Sequence, residues 1–238
     1  MTQVRVSKYN LEWPKIFIDE YERLRGDFAD NCIDVHHIGS TAIEGLSAKP
    51  IIDIVLIVYD IYKVDEYEIP QYKARGELGI PFRRYFSSGD KHLHVFERDH
   101  PEIEKHLLFR DYLRTHETER DEYSDFKEKL AFLTKDRRDY TLGKNSFISN
   151  IIHKTGFIGL WIVHALHDVE IAKCQQLNDN SAYKFVLYKG ANIVGIAGVS
   201  DDLKIGRVTC DNEWYEHYMI STLMRWIQPI NNKARTIM

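Results

Sequence analysis

Cysteine is scarce in this chain of 238 residues: Cys32, Cys174 and Cys210 are odd in number, far apart and form no C-x-x-C pair. They read as reduced thiols, which excludes a disulfide framework and a cysteine-based zinc site. No basic-then-apolar leader follows Met1, and no run approaches the ~18 uninterrupted apolar residues of a membrane-spanning helix. A cytoplasmic protein without membrane attachment is expected. Charge of one sign is also lacking. The formal charge of -4 offers no general field for nucleic acid, so any anion must be held by a local cluster. There is no internal repeat and no low-complexity segment. What is present, 44% apolar and 29% charged residues, is the balance of an ordinary globular protein.

Along the chain, Asn10–Phe28 reads as a helix, with Pro14 in its first turn and Phe17, Tyr21, Leu24 and Phe28 on one face. Ile33–Ile38 is a short strand and Ile51–Val58 a strong one. A helix is expected near Gln71–Glu77. Strands at Pro81–Ser87 and His92–Glu97 flank a Ser88-Gly89-Asp90 turn. Helices then follow from Pro101 to about Arg114, Glu119 to Leu133 and Asp136 to Lys154, the last ended by Gly156. Their buried stripes are expected at Tyr123, Phe126, Leu130 and Leu133, then Tyr140, Phe147 and Ile151. Strands first and helices later give an α+β domain over residues 1–156. Residues 157–238 form a second, smaller α+β unit. There a strand at Trp161–His164, a helix at Val169–Gln176, a hairpin over Phe185–Val199 around Lys189-Gly190 and a last helix at Tyr218–Trp226 are expected.

The informative stretch is HIGSTAIEGLSAKPIIDIVLIV, His37 to Val58. A strand ending in Gly39-Ser40 makes a turn whose backbone N–H groups can face a phosphate, with the hydroxyls of Ser40 and Thr41 beside it. Period 2 then sets Ile51, Asp53, Val55 and Ile57 on one face of the next strand. An acid on an inner strand needs a partner. That partner is a cation such as Lys49 or an arginine, or a metal carrying phosphate.

Basic residues at helical spacing supply a second set of candidates. Arg110 and Arg114 stand at i, i+4, where two like charges repel unless a phosphate oxygen or the acids Asp111 and Glu117 neutralise them. Lys127 follows Tyr123 by four residues and Lys144 follows Tyr140 by four, so each ammonium lies beside a buried stripe. Either a snorkelling lysine or an anion site accounts for that placement. Together they suggest a positive helical wall facing Gly39, Ser40 and Asp53.

The segment His37–Ile54 closely resembles the signature of the glutamate-rich GrpB proteins. The likeness continues through HLHVF at His92–Phe96, FRDYLR at Phe109–Arg114, YSDFKEKL at Tyr123–Leu130 and Tyr140-x-x-x-Lys144, covering about residues 4–155. That family is similar to the nucleotidyltransferase superfamily, so the resemblance implies a fold like the DNA polymerase beta core, with a mixed sheet and C-terminal helices. It also implies transfer of a nucleoside monophosphate or phosphoryl group, with Asp53 and Lys144 as catalytic candidates. Gly39, Ser40, Thr41, Lys49, Arg110, Arg114 and Lys127 would be the phosphate or nucleotide contacts.

Active members of that superfamily carry two carboxylates one residue apart, which bind two divalent metals. Here the place reads Asp53-Ile54-Val55 and the second acid is missing. His92 and His94 share one face of a later strand, so Asp53, His92 and His94 form a candidate three-ligand set. Mg²⁺ or Mn²⁺ is the expected metal, ahead of Zn²⁺; two hydrogen-bonded histidines on a hairpin are the alternative. Without a metal, the same cleft would be a non-catalytic module that binds a small phosphorylated ligand. Residues 158–238 faintly resemble the start of a GNAT N-acetyltransferase. The expected pyrophosphate turn reads Glu216-His217-Tyr218-Met219-Ile220, without glycine, and no acetyl transfer is expected.

Overall fold

The nearly unbroken apolar run of Ile52–Val58 decides the architecture of the N-terminal half, because both faces of that strand need cover. The computed structural model of the chain describes residues 4–235, apart from 79, 81, 135, 166, 167, 190 and 191. The chain divides into two compact units, Met1–Ile158 and Gly159–Met238.

In the first unit, helix α1 (Trp13–Phe28) precedes strands β1 (Cys32–Ile38), β2 (Ile52–Val58), β3 (Lys73–Ala74), β4 (Arg84–Ser88) and β5 (Lys91–Glu97). The sheet runs β1-β2-β5-β4-β3 and is mixed: β2 and β5 are parallel, the other pairs antiparallel. Helices α2 (Pro101–Thr115), α3 (Glu117–Leu133), α4 (Arg137–Gly143) and α5 (Asn145–Lys154) follow. One sheet face buries Ile52, Ile54, Leu56, Val58, Leu93 and Val95 against Trp13, Leu24 and Phe28 of α1. The opposite face packs Ile38, Val55 and Phe96 against Ile103 of α2. Asp53 belongs to this second face. A further cluster, with Ile43, Leu46, Leu113, Tyr123 and Ile151 buried, ties the loop after β1 to the helices.

Several expectations need correction. No helix forms at Gln71–Glu77: Gln71 and Gly76 take positive φ, and Arg75 and Tyr85 pair the segment onto β4 as an edge strand. The expected helix over Asp136–Lys154 is broken at Lys144. Gly143 packs so closely on α3 that an added Cβ would lie 2.8 Å from Leu130 Cδ1. On α3 the buried stripe is Tyr123, Lys127 and Ala131, while Leu133 is exposed. Pro81, the expected start of β4, lies outside the described residues.

The second unit pairs β6 (Leu160–His164), β7 (Tyr183–Lys189), β8 (Asn192–Val199) and β9 (Ile205–Cys210) as an antiparallel sheet in that order. Helix α6 (Asp168–Cys174) lies between β6 and β7 in the chain. Helix α7 (Glu213–Arg235) packs Met219, Leu223 and Ile227 against the sheet. The hairpin forms as expected, though Gly190 at its tip lies outside the described residues. Strand β9 was not foreseen. The last helix starts at Glu213, earlier than Tyr218, because Asn212 Oδ1 accepts the Tyr215 N–H as a cap. Among the described residues no helix is long and apolar enough to cross a membrane.

Candidate functional site

Parallel pairing sets Asp53 of β2 directly beside His92 of β5 and Val55 beside His94. His92 Nδ1 donates to Asp53 Oδ1 at 2.9 Å. Burial opposes ionisation of Asp53, but this hydrogen bond and the charges of His92 and Lys144 outweigh it and hold the carboxyl below its ordinary range. The partner expected from the sequence, Lys49 or an arginine, is therefore corrected to His92. Gly39 explains how the turn reaches this acid. Its φ is +68°, and a Cβ there would lie 2.6 Å from Asp53 Oδ2, so glycine alone allows the close approach.

After Gly39 the chain makes a single 3₁₀ turn, Ser40–Ala42. Ser40 Oγ accepts from Lys127 Nζ at 2.9 Å. Lys127 is 1% exposed, and its ammonium also lies 4.6 Å from the centre of the Tyr123 ring. Burial, with the nearby charge of Lys144, pushes its pKa down to about 6. Lys144 Nζ sits 4.9 Å from the centre of the Tyr140 ring and Lys49 Nζ 4.1 Å from the same centre. Three lysine Nζ atoms thus rest on two buried tyrosines, and each that is protonated gains about 0.5–2 kcal/mol from its ring. Glu128, the carboxylate acting on Lys127 from its own helix, is engaged by Lys8 and Ser47.

Other candidates serve the scaffold. Thr41 is fully buried: its hydroxyl donates to Ile51 O and so accepts from Nε2–H of His37, leaving no proton for a phosphate. His37 stacks on Phe17, and burial drives its pKa down to about 4. Arg110 donates to His37 O, and Arg114 twice to Ala42 O; Asp111 accompanies both. The two arginines thus brace the chain on either side of Gly39 and Ser40, Arg110 at the end of β1 and Arg114 at the end of the 3₁₀ turn. Among the described residues Glu117 forms no ion pair with either arginine.

The three-ligand metal set is corrected as well. His92 spends Nδ1 on Asp53, while His94 Nδ1 accepts from Arg83 at 3.4 Å. Burial and the neighbouring His106 and Arg83 keep the His94 imidazole neutral. Among the described residues no group of three or more His, Cys, Asp or Glu side chains is placed to hold a metal ion.

Sequence reasoning missed His106, whose buried Nε2 has no hydrogen-bond partner among the described residues and lies 3.8 Å from Glu102 Oε2. It also used Tyr123 and Tyr140 only as stripe anchors. Their i, i+4 lysines were the available signal, since that spacing lays an ammonium over a ring.

A GrpB protein family model matches residues 3–154, and gives no support to the GNAT resemblance of the C-terminal unit. The chain is 41% identical over 155 residues to UPF0157 protein YqkA of Bacillus subtilis, matching 61% of this chain and 45% of that one. It thus spans less than half of YqkA. Against the glutamate-rich protein GrpB of Alkalihalophilus pseudofirmus it is 28% identical, over 64% of this chain and 95% of the other. The crystal structure of conserved protein GrpB from Enterococcus faecalis superposes with a TM-score of 0.60 at 36% identity, over 63% of this chain and 96% of that one. With the family match extending over most of the chain, from before α1 to the end of α5, the protein belongs to the GrpB family.

Proposed function

We propose that the N-terminal unit binds a small phosphorylated ligand, a nucleotide if the nucleotidyltransferase likeness carries over. Its phosphoryl oxygens would face Lys49, Lys144 and the Gly39–Ser40 turn, with Lys127 behind Ser40. One observation carries this reading: Lys49 and Lys144, brought from distant parts of the chain, meet on the single Tyr140 ring, within electrostatic reach of a third lysine. Two ammonium groups converging on one ring make a local positive field, and a phosphoryl oxygen between them would take charge-assisted hydrogen bonds from both. Arg110 and Arg114 would hold the turn in shape for that anion, and Asp53 would fix it from below through Gly39 and steer Lys144.

Transfer of a nucleoside monophosphate or phosphoryl group is the second reading, favoured by the ionised Asp53 beside the turn. Asp53 and Lys144 would be its catalytic pair. No step is assigned to a divalent metal, because Asp53 and the two histidines do not converge on one.

Thermal unfolding of the full chain in inorganic phosphate, pyrophosphate or ATP tests the binding. Saturation to ~100 Kd adds about 2.7 kcal/mol, a rise of several degrees for a unit of this size. The rise should shrink in Lys144→Ala. A rise that needs Mg²⁺ or Mn²⁺ and disappears in Asp53→Ala would add a metal. Pyrophosphate accumulating from ATP would favour transfer over binding. If none of these anions raises the midpoint, the proposal is wrong.

A further inference from the structure

Ser40 and Lys127 have a chemical relationship that phosphate binding does not require. Ser40 sits directly after the positive-φ Gly39 and at the head of a 3₁₀ turn, and it is half-buried. Lys127 arrives from α3 and places Nζ 2.9 Å from Ser40 Oγ. Its walls are the Tyr123 ring on one side and the ammonium of Lys144 within electrostatic range; the carboxylate of Glu128 acts on it more weakly. Among the described residues no carboxylate comes within ion-pair distance of Nζ. A lysine in such a place sheds its proton near pH 6, so at neutral pH its amine carries a lone pair. The protonated lysine donates to Ser40 Oγ across this 2.9 Å contact, and once the proton is lost the same distance lets Oγ–H donate to Nζ. An ordinary structural lysine does the reverse: it keeps its charge and finds an acid.

We infer that Ser40 and Lys127 are a nucleophile and its general base, acting on the phosphoryl group that the proposed pocket holds. The inference rests on the binding reading for its substrate class, a phosphate ester or anhydride, and goes beyond it in assigning a covalent step. Oγ attacks phosphorus, the Oγ–P bond forms and the bond from phosphorus to the leaving oxygen breaks. The hydroxyl proton passes to Nζ and from there to the leaving oxygen. Water then attacks the phosphoserine, giving up one proton through Nζ to the departing Oγ, and Ser40 is restored with release of phosphate. Lys49 and Lys144 face the charge that develops on the phosphoryl oxygens. Serine–lysine pairs of this geometry activate serine in enzymes of unrelated fold.

The test is labelling of the full chain by an alkyl fluorophosphonate, read by intact mass and peptide mapping. One adduct is expected, on Ser40. It should vanish in Ser40→Ala and form about tenfold more slowly, or slower still, in Lys127→Met. The wild-type rate should rise with pH through about 6 and level off above it. Lys127→Arg, which keeps a cation but cannot act as a base at these pH values, should also label slowly; this covers the case in which the methionine variant does not fold. Wild-type protein unlabelled at Ser40, or labelled at the same rate in a folded Lys127 variant, overturns the inference. Phosphate that raises the unfolding midpoint without any Ser40 adduct leaves binding intact and removes only the nucleophile. A Lys127-dependent adduct without any phosphate effect supports the pair and overturns the pocket instead.

Discussion

The two faces of the five-stranded sheet are made by the same strands, one residue out of step. The face toward α1 carries Ile52, Ile54, Leu56, Leu93 and Val95; of its polar groups, His37 is satisfied by Thr41, Lys91 by the buried Glu20 of α1 and Glu97 by the Ile61 N–H. The face toward α2 carries Asp53, His92 and His94 among Val55, Ile57 and Phe96. Burial of apolar area at about 25 cal/mol per Å² is the main term at the centre of the first, where the ionisable groups sit at the strand ends and are paired. The second gives up part of that gain to hold ionisable groups at fixed positions. The sheet therefore divides its labour by face: one side supplies stability, and the other positions chemistry.

The sharpest way to break that division is on β2 itself. Leu56→Ala empties a fully buried site against α1 and should cost about 2–5 kcal/mol in urea unfolding. Asp53→Asn, three residues away and on the other face, keeps the shape and an acceptor for His92. It should cost under about 1 kcal/mol, the scale of one hydrogen bond, while removing any anion-induced rise in the unfolding midpoint that depends on this acid. Equal costs for the two substitutions would mean that the faces do not differ as argued.

Gly39→Ala probes how tightly the turn is held to the second face. The residue would have to adopt φ +68° and place a Cβ 2.6 Å from Asp53 Oδ2. A loss of about 1–3 kcal/mol is expected from strain of this kind. Adding Asp53→Ala should return part of it, because the steric partner is gone. A double-mutant cycle with no coupling would show that Gly39 is needed for its backbone alone.

How much of this was legible beforehand follows from what each feature depends on. The placing of Asp53 on a face with Val55 and Ile57 was readable, because strand alternation is local. Its partner was not. Asp53 meets His92 only because β2 and β5 pair in parallel in one register, and no pattern within either strand fixes that. The same contrast holds among the lysines. Lys127 and Lys144 were visible as ammonium groups one helical turn past a tyrosine, whereas Lys49 reaches Tyr140 only through the folding of the loop before β2. The break at Lys144 was hidden because it depends on how closely Leu130 of the neighbouring helix approaches Gly143.

The mildest perturbation, a change of pH, sharpens the comparison at Lys127. Burial lowers its pKa from the ordinary 10.5 to about 6. Between those values the unfolded chain holds a proton that the folded one does not, so Lys127 makes stability rise with pH across that window. One such proton gives a slope of at most about 1.4 kcal/mol per pH unit. Lys127→Met removes the term, so the variant should exceed wild type most near pH 6 and converge with it toward pH 10.5. Urea midpoints at several pH values read the difference directly, and subtracting the two curves cancels the tyrosines, cysteines and other lysines that titrate alongside. A flat difference curve would mean that Lys127 stays protonated in the folded protein. It would then be a cation held on the second face by Ser40 and Tyr123, able to bind an anion and unable to take a proton from Ser40.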